Sequence, residues 1–146
     1  MKYFLISSYA LFSLLLHTPA NAAQINEQLT CQAHLTHLKG KLKAVKPNYG
    51  AAATLVIQNG IKAYQNFLKV EHIGPGMKSF PEMQPQVDQM QAMMVSKYNE
   101  QFSQARFFSD NVMIVGNCYK KFPPESKSDD AMVRAMIEKL AEVSQQ

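Results

Sequence analysis

Apolar residues recur at helical spacing along most of this 146-residue chain. Between Gln24 and Lys46 they lie three or four positions apart, which places them on one side of an amphipathic helix. These positions are Cys31, Leu35, Leu38, Leu42 and Val45. The turn-forming run Pro47-Asn48-Tyr49-Gly50 follows directly. The pattern therefore predicts a first helix over 24–46 that ends in a turn.

A second helix is predicted from Ala51 to about Glu71, and its apolar face is wide. The apolar positions take up roughly half of a helical wheel; they are Val56, Ile57, Gly60, Ile61, Ala63, Tyr64, Phe67 and Leu68. Such a face indicates a central helix with more than one neighbour, and a homodimer is expected if part of it stays uncovered. His72 to Pro81 contains Gly74-Pro75-Gly76 and is predicted to be a loop.

The third helix is predicted to start near Pro81 or Pro85, because proline fits the first turn of a helix and not its interior. Apolar residues keep helical spacing to Phe108 and then on to about Lys121. They are Val87, Met90, Met94, Tyr98, Phe102, Ala105, Val112, Val115 and Tyr119.

Pro123-Pro124 ends this run, and a last helix is predicted to open at Asp129 and Asp130. Its apolar stripe consists of Met132, Met136, Leu140 and Val143. No segment alternates apolar and polar residues with the period of two that a half-buried strand needs. The predicted fold class is all-α, a compact bundle of four to five helices.

The N-terminus predicts export. Met1-Lys2 is a positive start, Tyr3 to Leu16 carries no charge, and Ala20-Asn21-Ala22 offers small residues at a cleavage site. This order is typical of a secretory signal peptide, and the apolar run is shorter than the roughly 20 residues that a membrane span needs. We expect a signal peptide over 1–22 and a single helical domain over 23–146. The chain has no Asn-x-Ser/Thr sequon, which favours a bacterial periplasm over a eukaryotic secretory route. The periplasm is therefore the expected compartment, and an extracellular location is the alternative.

The two cysteines, Cys31 and Cys118, are expected to form a disulfide in an oxidising compartment. Neither belongs to a C-x-x-C motif, so a redox thiol or a thiolate metal ligand is less favoured. Bonded cysteines need Cα atoms within about 7 Å, whereas an unbroken third helix in an up-down-up bundle places Cys118 at the far end from Cys31. Either the third helix reverses near Ser109–Asn111, or the Gly74-Pro75-Gly76 loop crosses the bundle. We favour the reversal, because Ser109-Asp110-Asn111 is good capping chemistry.

Two groups of side chains suggest metal chemistry. Cys31, His34 and His37 lie three residues apart, as metal ligands on a helix can, but a disulfide removes the thiolate and no acidic residue completes the set. We therefore expect surface or boundary histidines and no metal site. Methionines can bind copper(I) or, with histidine, haem. Because Met90, Met94, Met132 and Met136 have core spacing, we interpret them as packing residues and expect no cofactor.

The remaining charge is largely explained by helix ends. Removal of Lys2 leaves 14 basic and 11 acidic side chains, a net charge of +3. The lysines cluster in the last turns of predicted helices, where they complement the dipole; they are Lys39, Lys41, Lys43, Lys46, Lys120 and Lys121. Binding to acidic proteins or anionic lipid headgroups stays open, and nucleic acid is not expected. Catalytic motifs such as Gly-x-Ser-x-Gly and His-Glu-x-x-His are absent from the sequence, so no catalytic residues are predicted.

These features favour a small exported, non-enzymatic protein that binds another protein, as an inhibitor, an immunity protein or a stress chaperone does. Exposed loops concentrate binding residues, so Gly74, Pro75 and Gly76 in one loop, and Pro124 and Glu125 in another, are the predicted contact sites. The alternative is a copper- or haem-handling helical bundle that uses methionine and histidine.

Overall fold

The computed structural model describes residues 18–73, 84–101 and 106–145, and the secondary structure within them is helical. Its elements are α1 (Thr18–Phe67), a π-helical segment (Leu68–Ile73), α2 (Gln84–Gln101), α3 (Phe107–Lys121) and α4 (Lys127–Val143). Cys31 and Cys118 are bonded, with their Cα atoms 5.8 Å apart. The predicted all-α bundle with one disulfide is therefore confirmed.

Helix α1 folds back on itself at Gly50. This glycine has φ 76° and ψ 163°, a backbone conformation that residues with a Cβ rarely adopt. The side chain of Gln65 donates a hydrogen bond to Oγ1 of Thr36 over 3.1 Å, whereas a straight helix would separate these residues by about 44 Å. We call residues 18–49 the first arm and residues 51–67 the second arm.

The turn between the arms is narrower than predicted. Helical backbone continues through Pro47 and Tyr49, and the chain leaves the helical conformation at Gly50. The predicted first two helices correspond to the two arms, because a single residue with positive φ is enough to reverse the chain.

One hydrophobic cluster joins both arms, α3 and α4 around the disulfide. Its fully buried members include Leu35, Leu38, Ile61, Tyr64 and Met136. The apolar stripes predicted for the arms and for the last helix supply most of this cluster, whereas no described residue of α2 belongs to it.

The predicted reversal of the third helix occurs, but at a different place. Lys121 pairs with Glu27 at 2.8 Å, and the Phe107 ring lies 6.0 Å from that of His37. The start of α3 is therefore beside the later part of the first arm and its end beside the earlier part, so that the two run antiparallel. Helix α2 runs parallel to the first arm, because successive contacts between them join residues 64 positions apart. The chain therefore reverses between α2 and α3.

The prediction that Ser109–Asn111 forms the reversal was wrong. These residues lie inside α3, where the Asn111 amide donates to the Phe107 carbonyl over 2.7 Å. Asp110 pairs with Arg106 at 3.8 Å, one helical turn away. Aspartate and asparagine suit the first turn of a helix as well as its cap, because the helix dipole stabilises a carboxylate there. The motif therefore does indicate the start of a helix, but α3 begins about one turn earlier than the motif predicted.

Hydrogen bonds between side chains and the backbone stabilise the corner between α3 and α4. Tyr64 donates its hydroxyl to the Phe122 carbonyl over 3.0 Å. Helix α4 is capped by Ser126, whose Oγ accepts from the amide of Asp129 at 3.5 Å. Asp129 and Asp130 were predicted to open the helix, and they lie in its first turn instead.

The predicted signal peptide lies mostly outside the described residues. Helix α1 begins within it, at Thr18. Cleavage after Ala22, and a single domain over 23–146, stay predictions.

Candidate functional site

The contact between the first arm and α2 differs from the rest of the bundle, because polar and ionisable side chains lie in it. We call this contact the seam. It consists of Thr30, His34 and His37 on the first arm and Met94, Tyr98 and Asn99 on α2.

Two contacts fix the register of the seam. Oγ1 of Thr30, which donates to the Asn26 carbonyl over 2.8 Å, lies 3.6 Å from Sδ of Met94. One turn further along, the rings of His34 and Tyr98 stack with centroids 3.6 Å apart and planes 27° apart. Both pairs are separated by 64 positions in sequence. Equal separation means that α2 runs parallel to the first arm, with each turn of one helix opposite a turn of the other.

Both histidines of the seam are buried. His34 is 5% exposed and His37 is 2% exposed. The prediction of surface or boundary histidines was therefore wrong. His37 points away from the apolar stripe of its own arm, but α2 covers that side and the Phe107 ring of α3 meets it edge-on.

Burial keeps these imidazoles neutral at pH 7. It lowers the pKa of His34 to about 4, with a smaller contribution from the neighbouring charge of His37. Burial also lowers the pKa of His37, although a hydrogen bond with Asn99 acts in the opposite direction and the charge of Lys41 adds to the lowering. A proton on either ring would be a cation placed where little water can solvate it.

Helix α2 covers the seam without entering the core. None of its side chains in the described part is buried, and those on the side facing the first arm are half-buried; the latter include Val87, Met90, Met94 and Tyr98. Their spacing had predicted core methionines, but of these methionines Met136 of α4 is the one that the core encloses. Helix α2 packs against α1, and the described residues give it no comparable contact with α3 or α4.

An open groove of about 480 Å³ follows the edge of α2. Thr36 of the first arm lines it, together with Asp88, Gln91, Ala92, Val95, Ser96 and Asn99 of α2. Five of these seven side chains are polar and none of the seven is buried, so water reaches α2 along this side as well as along its outer surface.

A second polar cluster stands at the α3–α4 corner. Tyr119 donates its hydroxyl to Asp130, Arg134 pairs with the same carboxylate at 2.8 Å, and the guanidinium lies 5.4 Å from the centre of the Tyr119 ring. The hydrogen bond from Tyr119 lowers the pKa of Asp130. These groups satisfy one another, so the cluster is explained by its role in joining the two helices.

Of the predicted contact residues, the structure describes Pro124 and Glu125, which lie after α3 and not in the seam. Gly74, Pro75 and Gly76 lie outside the described residues. Pro124 is buried in the corner after α3, and Glu125 is exposed there. Their role in binding stays a prediction.

Sequence reasoning missed the seam, although a signal for it existed. Thr30, His34 and His37 are spaced by four and three residues, which makes a second helical stripe beside the apolar one. Partners on α2 had no comparable signal, because Tyr98 and Met94 look like ordinary members of an apolar stripe.

Comparison with protein-family models, with curated proteins and with solved structures finds no match to this chain. In the described part of the chain, no helix is long and apolar enough to cross a membrane. No cluster of three or more histidine, cysteine, aspartate or glutamate residues with metal-binding geometry occurs among residues 18–73, 84–101 and 106–145.

Proposed function

We propose that this protein is an exported, non-enzymatic binding protein of the stress-chaperone kind, and that α2 is a displaceable cover over its binding surface. The observation that carries the proposal is the position of α2, an 18-residue helix without a described buried side chain. A whole helix of the chain covers a face that the core does not use.

Displacement of α2 would expose two adjoining surfaces. One is the seam face of the first arm, with Thr30, His34 and His37. The other is the inner face of α2, which carries Val87, Met90 and Met94. Methionine side chains are flexible and polarisable, so such a face adapts to many sequences. We propose that its partner is an apolar segment of a partly unfolded protein.

This partner class is favoured over the folded partner of an inhibitor or immunity protein. A folded partner needs a rigid, preformed complementary surface, since most such interfaces change little on binding. The surface between α2 and the first arm is hidden and methionine-rich, which suits partners without a fixed shape.

The copper- or haem-handling alternative has one observation in its favour. Met94 and His34 lie on facing helices of the seam and contact consecutive turns of it. Both, however, are engaged, Met94 with Thr30 and His34 with Tyr98. An absorbance spectrum and metal analysis of the purified protein test this alternative, and stoichiometric copper or haem would favour it over chaperone-like binding.

The proposal is tested with α2 broken in an otherwise intact bundle. Ala92 is an exposed residue near the middle of α2, so Ala92→Pro removes a helical hydrogen bond at a cost of about 3 kcal/mol without disturbing the core. Ala92→Ser is the matched control, because it keeps the helix. Circular dichroism verifies that the proline variant loses helix while the disulfide-linked core still unfolds cooperatively.

The assay follows light scattering after guanidine-unfolded citrate synthase is diluted into buffer at pH 7. We expect Ala92→Pro to suppress aggregation at near-equimolar concentration, and the native protein and Ala92→Ser to have little effect. A folded Ala92→Pro protein without suppressing activity would contradict the proposal.

A further inference from the structure

We propose that the outer face of the two arms docks on an anionic lipid bilayer. This surface, which we call the lysine face, carries four exposed lysines and two exposed apolar residues; they are Lys39, Lys43, Leu55, Lys62, Lys69 and Val70. It includes no residue of the seam or of α2, so the proposal does not depend on the proposed function.

The arms hold the excess positive charge of the chain. From Gln28 to Val70 the sequence has six lysines and no aspartate or glutamate, although the whole chain has 11 acidic residues and a net charge of only +4. Most of the first arm and all of the second arm belong to this stretch. A protein with so uneven a distribution of charge presents a positive side to its surroundings.

Helix ends do not account for these lysines. The first helix was predicted to end at Lys46, which placed Lys39 near its last turns, but helical backbone continues to Tyr49. Lys39 therefore lies about three turns before the end of the first arm, whereas the helix dipole acts within the last turn. Lys62 is likewise about three turns before helical backbone ends at Ile73. The expectation that the dipole explains the charge was wrong for Lys39.

The hydrogen bond between Gln65 and Thr36 aligns the lysines of the two arms. Because the arms run antiparallel, Lys39 on the first arm and Lys62 on the second each lie one turn from this bond, in the direction of the bend. Residues three positions apart share a face of a helix, so both lysines lie on the face where the bond joins the arms. Both are exposed.

The row of lysines continues in both directions along the arms. Lys43 lies one turn nearer the bend than Lys39, and Lys69 extends the row at the other end. The exposed apolar residues lie near the two ends of the row, Leu55 towards the bend and Val70 next to Lys69. From Leu55 to Lys69 the face is about 21 Å long.

The lysine face is turned away from the core of the bundle. On the second arm, Gly60 faces α4, because a methyl group there would lie 2.3 Å from Cβ of Met136. Lys62 is two residues further along, about 200° around the helix, and so lies on the side opposite α4. On the first arm, Leu38 belongs to the core, whereas the next residue, Lys39, is exposed. The face is therefore open to a large partner.

The described carboxylates do not pair with the lysine face. The ion pairs within residues 18–73, 84–101 and 106–145 use other cations, namely Arg106, Lys121, Arg134 and Lys139. Glu71 is the nearest acidic residue along the chain, but it is two positions from Lys69 and therefore on a different side of the helix. The side chains of Glu82 and Glu100 lie outside the described ones, and pairing with both would still leave two of the four lysines uncompensated.

The combination of lysines with exposed apolar side chains fits the surface of an anionic bilayer. Leu55 is 56% exposed and Val70 is 53% exposed. Anionic headgroups attract lysine, and the headgroup region also accepts apolar side chains that reach beyond the charged layer. Two helices that lie side by side present such a surface to a planar partner.

Other anionic partners fit this face less well. Protein interfaces are enriched in arginine and aromatic residues and depleted in lysine, whereas the lysine face contains neither arginine nor an aromatic residue. Single-stranded nucleic acid stacks on exposed aromatic rings. The aromatic residues in the described part of the arms are buried or half-buried; they are Tyr49, Tyr64 and Phe67.

The expected strength of binding follows from the number of lysines. Each lysine near an anionic bilayer strengthens binding by about fivefold, so that two lysines contribute about 30-fold. The distance over which charges interact falls from about 10 Å at 0.1 M salt to about 3 Å at 1 M salt. Binding that depends on these lysines should therefore be lost in concentrated salt.

Vesicle sedimentation measures this binding. The protein is expressed from its full sequence in an exporting bacterium and purified as the cell processes it. It is then mixed, at low salt, with vesicles of phosphatidylcholine alone or of equal parts phosphatidylcholine and phosphatidylglycerol. We expect salt-sensitive binding to the vesicles that contain phosphatidylglycerol, and much weaker binding to phosphatidylcholine alone. Equal binding to both compositions, or binding to neither, would overturn the proposal.

A pair of double variants separates the lysine face from net charge. Lys39→Gln with Lys62→Gln removes two charges from the middle of the face, and should weaken binding by about 30-fold. The matched control is Lys120→Gln with Lys127→Gln, which removes the same charge from exposed positions of α3 and α4 and should bind as the native protein does. Circular dichroism verifies that all variants keep the native helix content. An equal loss of binding in the two double variants would refute the assignment to this face.

Leu55→Gln tests the choice of a bilayer as the partner. We expect it to weaken binding by about tenfold, which is near the lower end of the contribution of a buried leucine. Met113→Gln is its control, because Met113 is 61% exposed on α3 and lies outside the lysine face. Unchanged binding by Leu55→Gln would indicate a purely electrostatic partner. That result, or tighter binding of the native protein to polyglutamate or to an oligonucleotide than to the vesicles, would overturn the assignment to a bilayer.

Discussion

The close approach of the second arm to α4 gives a sharp test of the fold. Gly60 lies where a methyl group would be 2.3 Å from Cβ of Met136 and 2.7 Å from the carbonyl oxygen of Met132. Neither obstacle is the flexible end of a side chain. Gly60→Ala therefore has to push α4 away from the second arm as a unit.

The expected loss of stability combines two opposing effects. Overpacking of a close contact costs about 3 kcal/mol at the upper end of its usual range. Replacement of glycine by alanine within a helix returns about 1 kcal/mol. We expect Gly60→Ala to lower the free energy of unfolding by about 2 kcal/mol.

Gly116→Ala is the matched control. It also lies in a helix, α3, but nothing approaches within 4 Å of the methyl group that it would gain. This variant should be more stable than the native protein by up to about 1 kcal/mol. Urea unfolding of the oxidised protein, followed by circular dichroism, measures both. If Gly60→Ala is as stable as Gly116→Ala, the described packing of α4 on the second arm is incorrect.

Three further predictions follow from the described contacts. Replacement of both Cys31 and Cys118 by serine removes a disulfide between residues 87 positions apart, and should lower the free energy of unfolding by at most about 4.6 kcal/mol. An unchanged urea midpoint would argue against this disulfide. Asn111 is 1% exposed and its Oδ1 has no hydrogen-bond partner among the described residues, so Asn111→Leu should raise the free energy of unfolding by about 1 kcal/mol, and a fall would contradict this. Since the pKa of His34 is lower in the folded protein than in the unfolded chain, stability should fall as the pH drops from about 6.5 towards 4, by about 2–3 kcal/mol after allowance for solvent at the seam. Urea unfolding at pH 7, 5.5 and 4 measures that loss, which constant stability would refute.

The fold class and most of the core were predictable from the sequence. Leu35, Leu38 and Leu42 repeat on one helical face, and each is buried as that spacing requires. The disulfide also constrained the topology correctly, because it required the chain to reverse before Cys118. Local pattern and covalent geometry were enough for these features.

The position of the reversal and the burial of the histidines were not predictable in the same way. Asp110 and Asn111 suit a cap and a first turn equally well, and their contacts with Arg106 and Phe107 decide between the two. His37 is buried by residues of two other helices. A sequence pattern reports which face of a helix is apolar, but it does not report which polar face a distant helix will cover.

This limit applies most strongly to the seam. A buried leucine contributes about 1.5–3 kcal/mol, which is similar to the whole effect of protonating His34. Leucines at positions 30 and 37 of the first arm would have attached α2 more firmly. Because Thr30 and His37 occupy these positions instead, α2 is attached to the first arm through its own half-buried side chains. The weak hydrophobic pattern that hid this site from sequence reasoning is therefore also what leaves α2 outside the core.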